Sequence, residues 1–140
     1  MKKVLVANRG EIAVRVFRAC TELGIKTVGI YAEEDEYSVH RFKADEAYLV
    51  GQGKKPIDAY LDMEGFSSVA KECGADAFHP GYGLLPENLN FAQRCEEEGI
   101  IFVGPKLHHL DIFGDKIKAT AAAIEAGIAS TPGTDGPIAA

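Results

Sequence analysis

The sequence predicts an α/β fold: a doubly wound parallel sheet with helices on both faces. Three observations predict it. Short apolar runs alternate with amphipathic stretches five times before residue 105. The runs, such as Val4-Leu5-Val6-Ala7, are apolar almost throughout, as strands covered on both faces must be. Glycines 24, 74 and 99 close three of the amphipathic stretches, where a helix needs a stop.

Residues 3–7 form the first expected strand, followed by a turn at Asn8-Arg9-Gly10. Residues 11–23 carry Ile12, Val16, Cys20 and Leu23 at helical spacing. Residues 26–31 are a second strand, and a right-handed crossover is expected between the two. An acidic loop covers residues 32–37, with Ser38 as the expected cap of a short helix to residue 42. Residues 46–50 are the third strand and 51–56 a turn-rich connection. A helix is expected over 61–73, with Met63, Phe66, Val69 and Ala70 on one face. Residues 75–78, 88–98 and 100–103 follow as strand, helix and strand. Past Pro105 the alternation stops. Residues 107–113 and 116–126 read as consecutive helices broken at Gly114-Asp115, ahead of a turn-rich tail. The expected domains are 1–113 and the beginning of a second from 114 to 140.

Composition narrows the function. In 140 residues, 46% are hydrophobic, enough for a core, and 26% are charged. The net charge of −6 opposes a nucleic-acid partner, which needs a basic face, but leaves room for a nucleotide held by a few local cations. Cys20, Cys73 and Cys95 are far apart and read as buried thiols in a reducing compartment. No apolar run approaches the ~18 residues of a membrane span, and Val4 to Ala7 is too short for a signal peptide. The expected location is the cytoplasm, with no membrane partner.

In open α/β sheets ligands bind beyond the carboxyl ends of the strands. Three loops qualify. The first, Asn8-Arg9-Gly10-Glu11, has one glycine where a dinucleotide fingerprint needs three, and Glu11 repels an anion. In the second, Glu33-Glu34-Asp35-Glu36 reads as a solvated acidic turn. The third, His79-Pro80-Gly81-Tyr82-Gly83-Leu84-Leu85-Pro86-Glu87-Asn88, sets two glycines around a tyrosine and offers Asn88 as a helix cap. Spacing alone leaves a structural turn and a ligand loop both open there. Neither His79 nor the adjacent His108-His109 has metal-site spacing. Lys116 sits in a first helical turn, against the helix dipole, which hints at an anionic partner. Walker A and nucleophile-elbow patterns are absent from the sequence.

These residues, taken together, resemble the biotin carboxylase module of the biotin-dependent carboxylases. Ala7-Asn8-Arg9-Gly10-Glu11-Ile12-Ala13, His79-Pro80-Gly81-Tyr82-Gly83, Glu87-Asn88, Phe102-Val103-Gly104-Pro105, Gly114-Asp115-Lys116 and Pro132-Gly133-Thr134-Asp135-Gly136-Pro137 occur in that order. Pro56-Ile57-Asp58-Ala59-Tyr60-Leu61-Asp62 and His109-Leu110-Asp111-Ile112-Phe113 resemble the pyruvate carboxylase branch. The resemblance implies a Rossmann-like, pre-ATP-grasp domain followed by the start of an ATP-grasp domain. It implies a ligase that uses MgATP and bicarbonate, through carboxyphosphate, to carboxylate biotin carried on a separate domain. In the pyruvate carboxylase branch the carboxyl group then passes to pyruvate, giving oxaloacetate.

By the same resemblance Lys116 contacts the ATP phosphates, and Tyr82 and Gly83, with Glu87 nearby, face the biotin and bicarbonate pocket. Arg15, Arg18 and Glu22 form a dimer face on the first helix, within a parent expected to be a homotetramer. No metal ligand and no catalytic residue is assigned within these residues. The Mg2+ site and the carboxyltransferase metal are expected beyond residue 140, so the 140 residues are expected to be inactive alone. Two positions depart from the family pattern. Pro86 replaces a serine, which puts a cap or ligand contact there in doubt, and Ala129 stands where proline is common. Two other readings compete. One is the biotin carboxylase of an acyl-CoA carboxylase; the other is a non-catalytic α/β dimerisation module.

Overall fold

A computed structural model describes residues 1–131. The chain parts into two compact units, Met1–Gly104 and a second beginning at Pro105. The first is built on a five-stranded, all-parallel sheet: β1 (Lys3–Val6), β2 (Lys26–Tyr31), β3 (Glu46–Leu49), β4 (Ala77–His79) and β5 (Ile101–Phe102), in the spatial order β3-β2-β1-β4-β5. Strand direction and helix placement follow the expectation, and β2 matches its expected bounds.

The register shows why. Side chains alternate across a strand, so β1 feeds two cores. Val4 and Val6 join Ala77 under Ala13, Phe17 and Cys20 of α1 (Gly10–Glu22). Leu5 and Ala7, with Val28, Ile30 and Phe78, form the larger core on the other face. That face is covered by α3 (Met63–Cys73) and α4 (Leu89–Glu97), through Phe66, Val69 and Ala70 of one and Phe91 and Cys95 of the other. Phe91 organises this core, meeting Phe66 and Phe102 nearly edge-on at 6.3 and 6.0 Å between ring centroids. Such edge contacts add to the area buried. Burial pushes the Cys95 thiol up to about 12.

Three local expectations need correction. The helix expected from 61 to 73 begins two residues later, as α3, and a separate turn of helix not expected from the sequence, α2 (Pro56–Ala59), precedes it. Proline opens α2, and Asp62 Oδ1 accepts the Gly65 N–H at 3.2 Å, capping α3. Ser38 caps nothing: its hydroxyl donates instead to Asp35 Oδ1 at 2.7 Å, a charged and stronger acceptor. Asp35 itself is buried, not solvated.

In the second unit, α5 (Leu107–Phe113) and α6 (Lys116–Glu125) are separated at Gly114-Asp115. Asp115 Oδ1 accepts the N–H groups of Ile117 and Lys118 at 2.8 and 3.0 Å. The Pro132–Pro137 motif lies outside the described residues, as do residues 138–140 of the segment expected to open an ATP-grasp domain.

Candidate functional site

The sheet order reverses between β1 and β4, and there the crevice of an open α/β sheet lies. Here the chain fills it with one of its own side chains. The Ala7 N–H donates to His79 O at 2.9 Å, extending the β1–β4 ladder by one step. The next residue, Asn8, is buried. Its Nδ2 donates to Pro80 O at 2.8 Å and Tyr82 O at 3.0 Å, and its Oδ1 accepts the Arg9 N–H at 2.9 Å. Both carboxamide hydrogens are used, as burial demands.

The third loop is thereby fixed from below. Gly81 takes the left-handed conformation, φ 65°, and its N–H donates to His79 Nδ1 at 3.0 Å. An added Cβ at Gly81 would lie 2.6 Å from Asn8 Nδ2 and 2.7 Å from Ile12 Cγ2, so only glycine fits. Beyond this clamp Tyr82 is 60% exposed, and its hydroxyl donates to Glu11 Oε1 at 3.2 Å. Gly83 and Glu87 are also exposed. Asn88 Oδ1 accepts the Phe91 N–H at 3.0 Å, the expected cap of α4. Burial lowers the His79 imidazole below its ordinary value, which keeps Nδ1 free to accept.

The first and second loops are strapped together. Arg9 Nε and Nη2 donate to Asp35 Oδ2 and Oδ1 at 2.7 and 2.5 Å. The Tyr60 hydroxyl donates to Oδ2 at 2.8 Å and accepts the Ala32 N–H at 3.2 Å. The Arg9 bond holds the Asp35 carboxyl well below the usual carboxylate range, while burial and Asp35 push the Tyr60 hydroxyl up. An acid after the second strand is where a dinucleotide fold binds ribose. In this chain Glu33 and Glu34, the first acids after β2, are exposed, and the next, Asp35, is held by a guanidinium.

The remaining candidates lie apart from this loop. Arg15, Arg18 and Glu22 are exposed on α1. Arg18 Nε pairs with Glu22 Oε1 at 3.3 Å, while Arg15 lies 4.0 Å from Glu11. Lys116 is the first residue of α6 and exposed, and it pairs with no carboxylate among the described residues. Lys118 instead reaches Asp111 at 2.9 Å. Among the described residues no three His, Cys, Asp or Glu side chains converge as metal ligands, so no step through Mg2+ is assigned to them. Sequence reasoning missed Asn8, Asp35 and Tyr60. A carboxamide at the carboxyl end of an apolar strand was the available signal for Asn8.

Comparison with known proteins decides the family. The family model described as biotin carboxylase, N-terminal domain, matches residues 1–110. The chain belongs to this family. As a biotin carboxylase N-terminal domain it is similar to the pyruvate carboxylase of Bacillus subtilis (strain 168), 67% identical over 137 residues, 98% of this chain and 12% of that protein. The complete multifunctional pyruvate carboxylase from Rhizobium etli matches with a TM-score of 0.88 and 53% identity, over 91% of this chain and 12% of that one. A third match is the biotin carboxylase domain dimer of Hydrogenobacter thermophilus 2-oxoglutarate carboxylase, in complex with MgADP, ADP and bicarbonate. Its TM-score is 0.92 at 52% identity, over 96% of this chain and 29% of that one. The biotin carboxylase N-terminal domain therefore spans 12% of the length of the full pyruvate carboxylases it matches.

Proposed function

We propose that the chain opens the biotin carboxylase module of a pyruvate carboxylase, a ligase that uses MgATP and bicarbonate to carboxylate biotin and then delivers the carboxyl group to pyruvate. The observation that carries this reading is the loop at the switch point. The chain's own carboxamide plugs the dinucleotide crevice and leaves Tyr82 and Gly83 presented on the rim. The 67% identity to a pyruvate carboxylase supports the choice of acceptor.

In this reading ATP supplies the driving force and biotin carries the carboxyl group between sites. The chain's own residues bind and orient. Lys116 holds phosphate oxygens by charge, where electrostatic stabilisation is the main work of phosphoryl transfer. Tyr82 and Gly83 give the biotin ring a flat wall, with Glu87 beside it. The division at Gly114, with an ATP-grasp domain beyond it, belongs to the same proposal, as do a biotin carrier domain and a homotetrameric parent. Self-association through Arg15, Arg18 and Glu22 is supported by the dimer described for the Hydrogenobacter domain.

A second acceptor has a specific observation behind it. A 2-oxoglutarate carboxylase small subunit is 52% identical over 135 residues. The test is ATP cleavage by the complete carboxylase carrying these residues, with bicarbonate, biotin, pyruvate or 2-oxoglutarate omitted in turn. Pyruvate-dependent turnover is expected. Lys116→Ala is expected to lower kcat/KM for ATP about tenfold or more, the worth of one charge-assisted phosphate contact. Response to 2-oxoglutarate alone would reassign the acceptor, and absence of any biotin dependence in the folded enzyme would overturn the reading.

A further inference from the structure

We infer that Asn8 is a positioning residue for biotin turnover, acting through the loop it clamps. The inference rests on the reading that Tyr82 and Gly83 face biotin. Asn8 is 1% exposed and sits where β1 ends, below the loop and not on its rim. Its two N–H groups draw the carbonyls of Pro80 and Tyr82 inward, at 2.8 and 3.0 Å. With both carbonyls turned toward the sheet, the Tyr82 ring and the Gly83 backbone are left on the outer side. His79 holds the residue between them, through the Gly81 N–H. Past Gly81 the Tyr82 hydroxyl reaches only an exposed glutamate, a bond that water competes for. Asn8 also accepts the Arg9 N–H, so the same side chain ties the loop to the start of α1.

Asn8→Asp separates these roles. It keeps the shape and the acceptor for Arg9 and removes both donors, turning an oxygen toward two carbonyls. In the complete carboxylase two readouts are taken with thermal melting as the folding control. The first is hydrogen exchange of the Gly81 amide, the one amide of residues 80–83 bonded to an acceptor among the described residues. The second is the steady-state kinetics of ATP cleavage with free biotin. Exchange at Gly81 is expected to quicken at least about tenfold, with α3 unchanged. KM for biotin is expected to rise about tenfold, with KM for ATP within about twofold, as the loss of roughly one to two hydrogen bonds dictates. A merely structural defect would not split the two KM values. Asn8→Ala, which introduces no charge, is the second variant should the aspartate fail to fold.

Unaltered loop exchange in a folded variant overturns the clamp. Faster exchange with an unchanged KM for biotin overturns its link to turnover. Lack of biotin-dependent cleavage in the unsubstituted enzyme sinks the functional reading itself, and the biotin part of this inference with it.

Discussion

Asp35 receives four hydrogen bonds, two from Arg9 and one each from Ser38 and Tyr60. His40 lies close by and is fully buried, its Nε2–H donating to Ile30 O at 3.0 Å and its Nδ1 without a partner among the described residues. Burial lowers the His40 imidazole, and that of His79, below their ordinary value. The unfolded chain therefore takes up protons at both positions before the folded one does. Stability should be full above about pH 7 and fall as pH drops through about 6.5. Asp35, held low by Arg9, adds its own loss only below about pH 4, where the unfolded carboxylate protonates first. Urea midpoints at pH 8, 6.5 and 5 are expected to decline in that order, and His40→Gln to remove part of the decline; an unchanged slope in that variant would clear His40. None of this was legible locally. Asp35 is one of four consecutive acids, and what separates it from its neighbours is Arg9 and Tyr60, each about 25 residues away along the chain. Pattern reading sees near neighbours, so the acid was read as solvated and the turn arginine had no assigned partner.

At the level of elements, one of the two expected caps held: Asn88 caps α4, whereas Ser38 caps nothing. Asp115 likewise stands directly before its helix and accepts the Ile117 and Lys118 N–H groups. Asn88→Ala should lower stability by about 1 kcal/mol, the usual worth of such a cap, measured by denaturant titration. No loss would mean that Asn88 acts in the loop and not on the helix. The proline at position 86 does not disturb this cap, because the Asn88 side chain supplies the bond and the Asn88 N–H donates to Leu85 O at 3.1 Å. The start of α3 was less legible. The apolar spacing of Leu61 with Met63 and Phe66 runs across it, and only the Asp62 side chain marks where the helix begins. On α1, Arg15, Arg18 and Glu22 are exposed, Arg15 lying 4.0 Å from Glu11 and Arg18 pairing with Glu22.

For the molecule as a whole, every residue of both hydrophobic cores lies between Val4 and Val103. A chain ending at Gly104 should therefore melt cooperatively on its own, followed by circular dichroism; a broad, non-cooperative loss would show that Met1–Gly104 needs more than its own cores. The order of the sheet carries a further consequence, for synthesis. Strand β1 is central, paired with β2 on one side and β4 on the other. As the chain is made, β1 finds β2 almost at once, but its second edge stays open until about fifty residues more have been made. At ~5–20 residues per second that is roughly two to ten seconds. During that interval Val4-Leu5-Val6, three apolar residues in a row, offers an unpaired edge to any nascent neighbour or chaperone.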